Sequence, residues 1–114
     1  MLELSVIDLF NLGSSFHNVV EFYWPHCRAC QSFAPVYEEL AKDNPDMNFY
    51  KMNVKASNEN GEDLGRKWGV TAVPTVRVFG REITPGKGLL EILGSKSKET
   101  IQALLDQHKG TSTE

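Results

Sequence analysis

Two cysteines, Cys27 and Cys30, stand just after a compact apolar run and at the start of a helical pattern. The run, residues 17–23, is rich in β-branched and aromatic side chains and is closed by Pro25, which is typical of a buried central strand. From residue 27 to about 42, apolar side chains recur at helical spacing. Cysteines three residues apart on a first helical turn lie on one face, within reach of a disulfide. The strand, the cysteine pair and the helix together predict an α/β domain with a two-electron redox centre.

The remaining segments extend this unit into one sheet. Strands are predicted near residues 2–6, 47–54, 75–79 and 89–93, and helices near 7–12, near 59–68 and from Ser95 to His108, with Gly110 closing the last helix. Strands alternate with helices early and a hairpin follows, so we expect a central mixed β-sheet of four to five strands flanked by helices on both faces. The length of 114 residues fits one domain over residues 1–109, followed by a flexible tail at 110–114.

Charge and hydropathy exclude several classes of protein. The net charge is −3, without the basic face of a nucleic-acid-binding protein, and no apolar run approaches the roughly 18 residues of a membrane span.

The N-terminus lacks the basic region of a secretory signal and the C-terminus lacks a retention signal, so we expect a cytoplasmic protein. In a reducing compartment a lone cysteine pair is more often catalytic or metal-binding than structural. Nothing in the sequence indicates an oligomer, so we expect a monomer.

The segments around the cysteines resemble the thioredoxin family, and most closely the catalytic domains of protein disulfide isomerases. The similarity involves residues 20–23, Pro25, the Cys-x-x-Cys of residues 27–30, residues 34–41, 51–54 and 69–75, and Gly94. A bare Cys-x-x-Cys is a weak signal, but here a Val-Pro-Thr follows about 45 residues later, in the order that the fold requires. The resemblance spans about residues 17–108 and implies a thioredoxin fold.

The chain departs from the family pattern at the site. His26 stands where the family usually has tryptophan. Arg28 and Ala29 replace the Gly-Pro of thioredoxins and the Gly-His of the isomerases. Glu21 occupies the position of the buried aspartate of thioredoxins, as in the isomerases. These departures concern the redox potential and the choice of partner rather than the fold.

The position of each thiol predicts its role. Unpaired backbone N–H groups and the macrodipole stabilise an anion at a helix N-terminus, so we expect Cys27 to attack as a thiolate. Cys30, one turn deeper, should then resolve the mixed disulfide. Arg28 places a cation beside the thiolate and should stabilise it. His26 is expected to act on the thiolate as an imidazolium, to shape the rim where partners dock, or simply to be exposed.

The resemblance implies three further site residues and a cis bond. It makes Glu21 the group that takes the proton of the buried cysteine, with Lys51 as its neighbour. A carboxyl group in apolar surroundings has a raised pKa and exchanges protons near neutrality. Taken alone, Glu21 is more often a strand-end glutamate that reaches solvent, and Lys51 is equally a solvated strand lysine. The resemblance also implies a cis Val73–Pro74 bond beside the cysteines, leaving the Val73 backbone free to pair with an extended substrate.

These observations predict a thiol–disulfide oxidoreductase that reduces or exchanges protein disulfides through a reversible Cys27–Cys30 pair. We expect it to be a thioredoxin-like protein-disulfide reductase without metal or cofactor. Its partners would be disulfide-containing proteins and a reductase such as thioredoxin reductase as electron donor. An isomerase or oxidase uses the same chemistry in another direction; a single domain without a secretory signal favours the reductase.

Three other interpretations stay open. A structural zinc site needs four ligands, and only the two cysteines and a poorly placed His26 are near one another. A glutaredoxin would have a similar proline loop at residues 71–74, but the Gly-Gly expected soon after it is replaced by residues 80–82. A thioredoxin-fold binding or chaperone module could carry incidental cysteines, although many such modules lose one and this chain keeps both.

Overall fold

The computed structural model describes the backbone of residues 2–3, 17–55 and 63–112, and the side chains of residues 17–55 and 63–108. Within these ranges there are five strands: β1 (Leu2–Glu3), β2 (Asn18–Tyr23), β3 (Asn48–Asn53), β4 (Thr75–Phe79) and β5 (Leu90–Leu93). The same ranges contain three helices: α1 (Arg28–Asp43), α2 (Leu64–Lys67) and α3 (Lys98–Ser112). The helix predicted at 7–12 and the first residues of the one predicted at 59–68 lie outside the described residues.

The five strands form one mixed sheet in the order β1-β3-β2-β4-β5. Strand β2 lies at its centre and pairs in parallel with β3 and antiparallel with β4. Strand β1 pairs in parallel with β3, and β5 pairs antiparallel with β4. The predicted fold class, a mixed sheet of four to five strands, is therefore confirmed.

Each face of the sheet carries its own apolar core, because successive side chains of a strand point to opposite faces. Val19 of β2 packs beneath α1 and α3, whereas Val20 faces α2. The first core contains Val19, Phe33, Tyr37, Leu40, Met47, Phe49, Val76, Val78, Ile92, Ile101 and Leu105. The second contains Val20, Phe22, Tyr50, Met52, Val54, Leu64, Trp68, Phe79 and Ile83. Helices thus cover both faces, as the sequence predicted.

Helix α1 is fixed to the centre of the sheet by Tyr37. The Tyr37 hydroxyl donates to the carbonyl oxygen of Tyr50 at 2.5 Å, and its oxygen lies 3.2 Å from the carbonyl oxygen of Val19. Burial, together with the nearby charge of Glu21, raises the pKa of Tyr37 well above its usual value. These contacts hold α1 against β2 and β3, and therefore set where the cysteines at its start lie relative to the sheet.

The bounds of α3 differ from the prediction at both ends. Ser97, not Ser95, caps the helix: its Oγ accepts from Thr100 N at 3.1 Å, and its carbonyl accepts from Ile101 N at 3.1 Å. The helix continues to Ser112, past Gly110, because one glycine costs only about 1 kcal/mol in a helix and does not end it. The predicted boundary between the domain and its tail remains a prediction.

A buried arginine crosses the second core. Arg77 lies in the middle of β4 and is only 1% exposed. Its guanidinium donates to the carbonyl oxygens of Trp68 (2.5 Å), Gly69 (3.1 Å) and Gly86 (2.8 Å), and to Glu91 Oε2 (2.9 Å). Gly86 and Glu91 belong to the β4–β5 hairpin, whereas Trp68 and Gly69 lie at the end of α2. Arg77 therefore holds three separate pieces of backbone together.

Candidate redox site

Cys27 is the N-cap of α1. Its backbone is extended (φ −85°, ψ 121°), and its Sγ accepts a hydrogen bond from Cys30 N at 3.2 Å. The carbonyl of Cys27 accepts the first helical bond, from Gln31 N at 3.0 Å. The side chain is half-buried, so a partner sulfur can reach it. An N-cap sulfur that already accepts a backbone N–H is placed to be stabilised as an anion.

Cys30 lies one helical turn further in and is only 4% exposed. Both thiols are free, and the thiol of Cys30 is hydrogen-bonded to Cys27. Burial, this hydrogen bond and the charges of Cys27 and Glu21 raise the pKa of Cys30 to about 12. The two thiols are therefore unequal: one is accessible at a helix N-terminus, and the other is buried and holds its proton tightly.

A cavity of about 150 Å³ opens behind Cys30. Its walls include Glu21 from β2, Lys51 from β3 and Ala34 from α1. Glu21 and Lys51 are paired across the two strands, and Glu21 is only 4% exposed. The alternative in which Glu21 reaches solvent from a strand end is therefore wrong. Lys51 is half-buried, with its Nζ 5.7 Å from the centroid of the Tyr23 ring, rather than simply solvated.

The proline loop is joined to the cysteine helix through the segment that follows β5. The Val73–Pro74 bond is cis, as predicted. Gly94 N donates to the Pro74 carbonyl at 2.9 Å, and Ser95 Oγ lies 3.4 Å from the Ala29 carbonyl. This link places the proline loop beside the first turn of α1. The contact of Ser95 was missed by sequence reasoning, which assigned this residue to a helix cap.

The rim of the site is formed by exposed residues on either side of Cys27. His26 and Arg28 are both exposed, and no ion pair joins either to a described residue. Trp24 is 42% exposed, and Lys55 Nζ lies 4.3 Å from the centroid of its ring. Trp68, in contrast, is 2% exposed and packs in the second core. No local sequence signal indicates the contact of Trp24 with Lys55, which depends on where β3 ends.

The two histidines away from the cysteines contact each other. The rings of His17 and His108 lie edge to face, with centroids 5.1 Å apart, and His17 is 9% exposed. Within the residues that the structure describes, no three His, Cys, Asp or Glu side chains are grouped as metal ligands, so the zinc alternative finds no ligand set there. No helix in the searched ranges is long and apolar enough to cross a bilayer.

Comparison with known proteins gives a consistent result. The sequence model of the thioredoxin family matches residues 11–107. The chain is 30% identical over 97 residues to the chloroplastic thioredoxin M-type of Zea mays, which covers 82% of this chain and 52% of that protein. It is 33% identical over 99 residues to a protein disulfide-isomerase of Triticum aestivum, covering 83% of this chain and 18% of that protein. The X-ray structure of Fasciola hepatica thioredoxin superposes with a TM-score of 0.72 at 28% identity, covering 95% of this chain and 99% of the other.

The chain therefore belongs to the thioredoxin family and has the thioredoxin fold. Cys27 and Cys30 lie close together at the start of α1, as thiol–disulfide exchange requires. The chain spans about half the length of the maize thioredoxin and a smaller part of the wheat isomerase.

Proposed function

We propose that this protein is a thiol–disulfide oxidoreductase that reduces protein disulfides through a reversible Cys27–Cys30 pair. The observation that carries the proposal is the inequality of the two thiols. Cys27 is accessible and caps a helix, whereas Cys30 is buried behind it, hydrogen-bonded to it and protonated at neutral pH. One thiol is placed to attack, and the other to resolve.

The reaction has two exchange steps. Cys27, as a thiolate, attacks one sulfur of the partner disulfide; a bond from Cys27 Sγ to that sulfur forms, and the second partner sulfur leaves as a thiolate that takes up a proton. Cys30 then loses its proton and attacks Cys27 Sγ. The Cys27–Cys30 disulfide forms, and the first partner sulfur leaves as a thiolate. The partner gains two electrons, and the protein loses two.

The second step needs a base near Cys30, because a thiol with a pKa of about 12 is almost fully protonated at neutral pH. Glu21 is the carboxylate that shares the cavity with Cys30, and Lys51 lies opposite it. We assign Glu21 the role of taking the proton of Cys30 as Cys30 attacks. Lys51 is assigned the role of a neighbouring cation that favours the charged carboxylate.

Replacing Glu21 with glutamine should slow resolution of the mixed disulfide while leaving its formation by Cys27 little changed. General-base catalysis contributes about 10²–10⁴-fold, so we expect resolution to slow by at least 10²-fold. Without the base, Cys30 must ionise into solvent, so the rate of resolution should rise about tenfold per pH unit up to the raised pKa. Stopped-flow measurement of both steps from pH 6 to 10 tests this. Glu38→Gln, an exposed change on α1, is the matched control, and equal rates of resolution in both variants would contradict the role of Glu21.

Arg28 should make the couple more oxidising than that of thioredoxin, because a cation beside Cys27 stabilises the reduced, anionic form. Arg28 is exposed, and exposed charge pairs contribute about 0.2–1 kcal/mol, which corresponds to about 5–20 mV for two electrons. Arg28→Gly should therefore lower the potential by about that amount, and Arg28→Lys should leave it nearly unchanged. A glutathione-buffered titration of the three proteins measures the shift. An unchanged or higher potential in Arg28→Gly would contradict the assignment.

Reduction of insulin in the presence of dithiothreitol tests the function as a whole. We expect turbidity to develop faster than with dithiothreitol alone. A rate equal to background for the folded protein would contradict the reductase and favour a binding module with incidental cysteines. We propose that the electron donor is a reductase such as thioredoxin reductase; activity with glutathione alone would favour the glutaredoxin alternative.

Exchange in the isomerase or oxidase direction is the second candidate, and the similarity to the wheat protein disulfide-isomerase supports it. The same cysteines would carry it. As an oxidase, the Cys27–Cys30 disulfide would take two electrons from partner thiols; as an isomerase, the pair would rearrange partner disulfides with no net transfer of electrons. The reduction potential and the identity of the redox partner distinguish the two directions.

A further inference from the structure

Three exposed cations belong to segments that contain or contact the residues next to Cys27. Arg28 is the first residue of α1, and its side chain is exposed. Lys55 follows β3 and stacks its Nζ over Trp24, which is three residues before Cys27. Lys96, also exposed, belongs to the segment after β5. We call Arg28, Lys55 and Lys96 the basic rim.

The contacts of the neighbouring segments place Lys96 beside the site. Ser95, the residue before it, lies 3.4 Å from the carbonyl of Ala29 in the first turn of α1. Gly94 is hydrogen-bonded to Pro74 in the proline loop. Lys96 therefore belongs to a segment that borders both the first turn of α1 and the proline loop, and Arg28 directly follows Cys27 in the chain.

The charges of the basic rim are available to a partner. Within the part of the chain that the structure describes, none of the three forms an ion pair with a carboxylate. Lys98, two residues after Lys96, shows the contrast, because its Nζ lies 2.6 Å from Asp43 and 3.5 Å from Glu39. The charge of Lys98 is therefore balanced by carboxylates of α1, whereas the charge of Lys96 is not balanced by any described carboxylate.

Carboxylates are missing from three of the segments that border the site. Residues 24–37, 64–75 and 92–98 contain none of the 15 Asp and Glu residues of the chain, although its net charge is −3. The segments instead carry Arg28, Arg66, Lys67 and Lys96, besides Lys98, whose charge is balanced by Asp43 and Glu39. These three segments are thus basic on a protein whose net charge is −3, and they would attract acidic segments and repel basic ones.

We propose that the basic rim selects protein disulfides whose flanking residues are acidic. This inference rests on the reductase function proposed above and specifies the class of its substrates. The partner cysteine would reach Cys27 while carboxylates on either side of it lie near Arg28, Lys55 and Lys96. Trp24 and Leu93, which are 42% and 50% exposed, offer apolar contacts on the same rim. The covalent steps are those already described.

Two peptides with the same disulfide loop test the selection, one flanked by Asp and Glu and the other by Lys and Arg. Their kcat/KM values are compared in the wild-type protein at low ionic strength and in 0.5 M NaCl. We expect the acidic peptide to be favoured by about tenfold at low salt, mainly through KM, because steering by charge is worth tenfold or more and is screened by salt. The preference should shrink in high salt.

Two lysine variants show whether the rim is responsible. Lys96→Glu should lower the ratio of the two kcat/KM values by at least about threefold. Lys87→Glu is the matched control, because it changes the charge by the same amount. Lys87 is exposed in the connection between β4 and β5, at the opposite end of these two strands from the proline loop. Its ratio should equal that of the wild type. Equal kcat/KM values for both peptides in the wild type, or equal effects of the two variants, would overturn the proposal while leaving the reductase function intact.

A binding experiment separates the two proposals. If neither peptide is reduced, the reductase function fails, and peptides with serine in place of both cysteines are titrated into the labelled protein by NMR. Shifts of the amide signals of residues 28, 55 and 96 with the acidic peptide alone would support selection by the rim. No shift, or equal shifts with the basic peptide, would overturn it.

Discussion

Replacing Cys27 with serine is expected to reduce the rate of insulin reduction to that of dithiothreitol alone, a loss of roughly 10³-fold or more. A serine hydroxyl at the N-cap accepts the same backbone hydrogen bond as the thiolate, so the helix should keep its cap. The attacking sulfur, however, is gone, and Cys30 is only 4% exposed and cannot take its place. Unfolding in urea checks that the loss is chemical, since the stability should change by less than about 1 kcal/mol.

Cys30→Ser should have a different effect on the same reaction. Cys27 can still attack, but nothing resolves the product, so a mixed disulfide between Cys27 and the partner should accumulate. Mass spectrometry of the reaction with a disulfide peptide should show a protein–peptide adduct with Cys30→Ser and none with Cys27→Ser. The opposite pattern would reverse the roles of the two cysteines. Adducts in both variants would contradict the inequality of the thiols on which the account depends.

Removing the guanidinium of Arg77 is expected to cause a large loss of stability, about 3–5 kcal/mol for Arg77→Met, because it leaves Glu91 without its buried partner. Three backbone carbonyls, those of Trp68, Gly69 and Gly86, also lose their donors. Unsatisfied buried groups cost about 1–3 kcal/mol each before water relieves them. Urea unfolding of the wild type, Arg77→Met and an exposed control, Arg66→Met, measures the effect. A loss below about 1 kcal/mol in Arg77→Met would contradict it.

A double variant shows which contacts of Arg77 matter. If the ion pair with Glu91 dominates, removing both partners in Arg77→Met with Glu91→Met should restore most of the stability. We expect the double variant to remain well below the wild type, because the three carbonyls still lack a donor. Since Gly69 begins the segment that leads to Pro74, amide exchange in residues 69–74 should also be faster in both variants. Full recovery of stability in the double variant would show that the carbonyl contacts contribute little.

The central part of the fold could be predicted because several local signals agree there. The β-branched and aromatic run before Pro25 indicates a buried strand whatever lies around it. The helical periodicity that begins at Cys27 then fixes where the two thiols lie relative to that strand. The cis Val73–Pro74 bond is not a local signal, since X-Pro bonds are usually trans, and it was expected only from the resemblance to the family.

Other features depend on contacts between distant segments and could not be predicted in this way. An arginine in the middle of an alternating strand is ordinarily solvated, and only the tertiary structure gives Arg77 its carbonyl partners. Ser95 and Ser97 are equally good caps by sequence; in the structure Ser97 caps α3, and Ser95 lies against the first turn of α1. The basic rim likewise requires knowing that the ends of β3 and β5 border the start of α1.

A redox titration of the wild-type protein in glutathione buffers tests whether Cys27 and Cys30 form a reversible redox pair. We expect a single two-electron transition between Cys27–Cys30 dithiol and disulfide, at a potential above the roughly −270 mV of thioredoxin and below the roughly −180 mV of protein disulfide isomerase. Mass spectrometry of alkylated samples should show the two cysteines changing together. Cysteines that stay reduced across the range, or that form only adducts with glutathione, would contradict a reversible pair; a transition at or below thioredoxin's potential would contradict the assigned effect of Arg28.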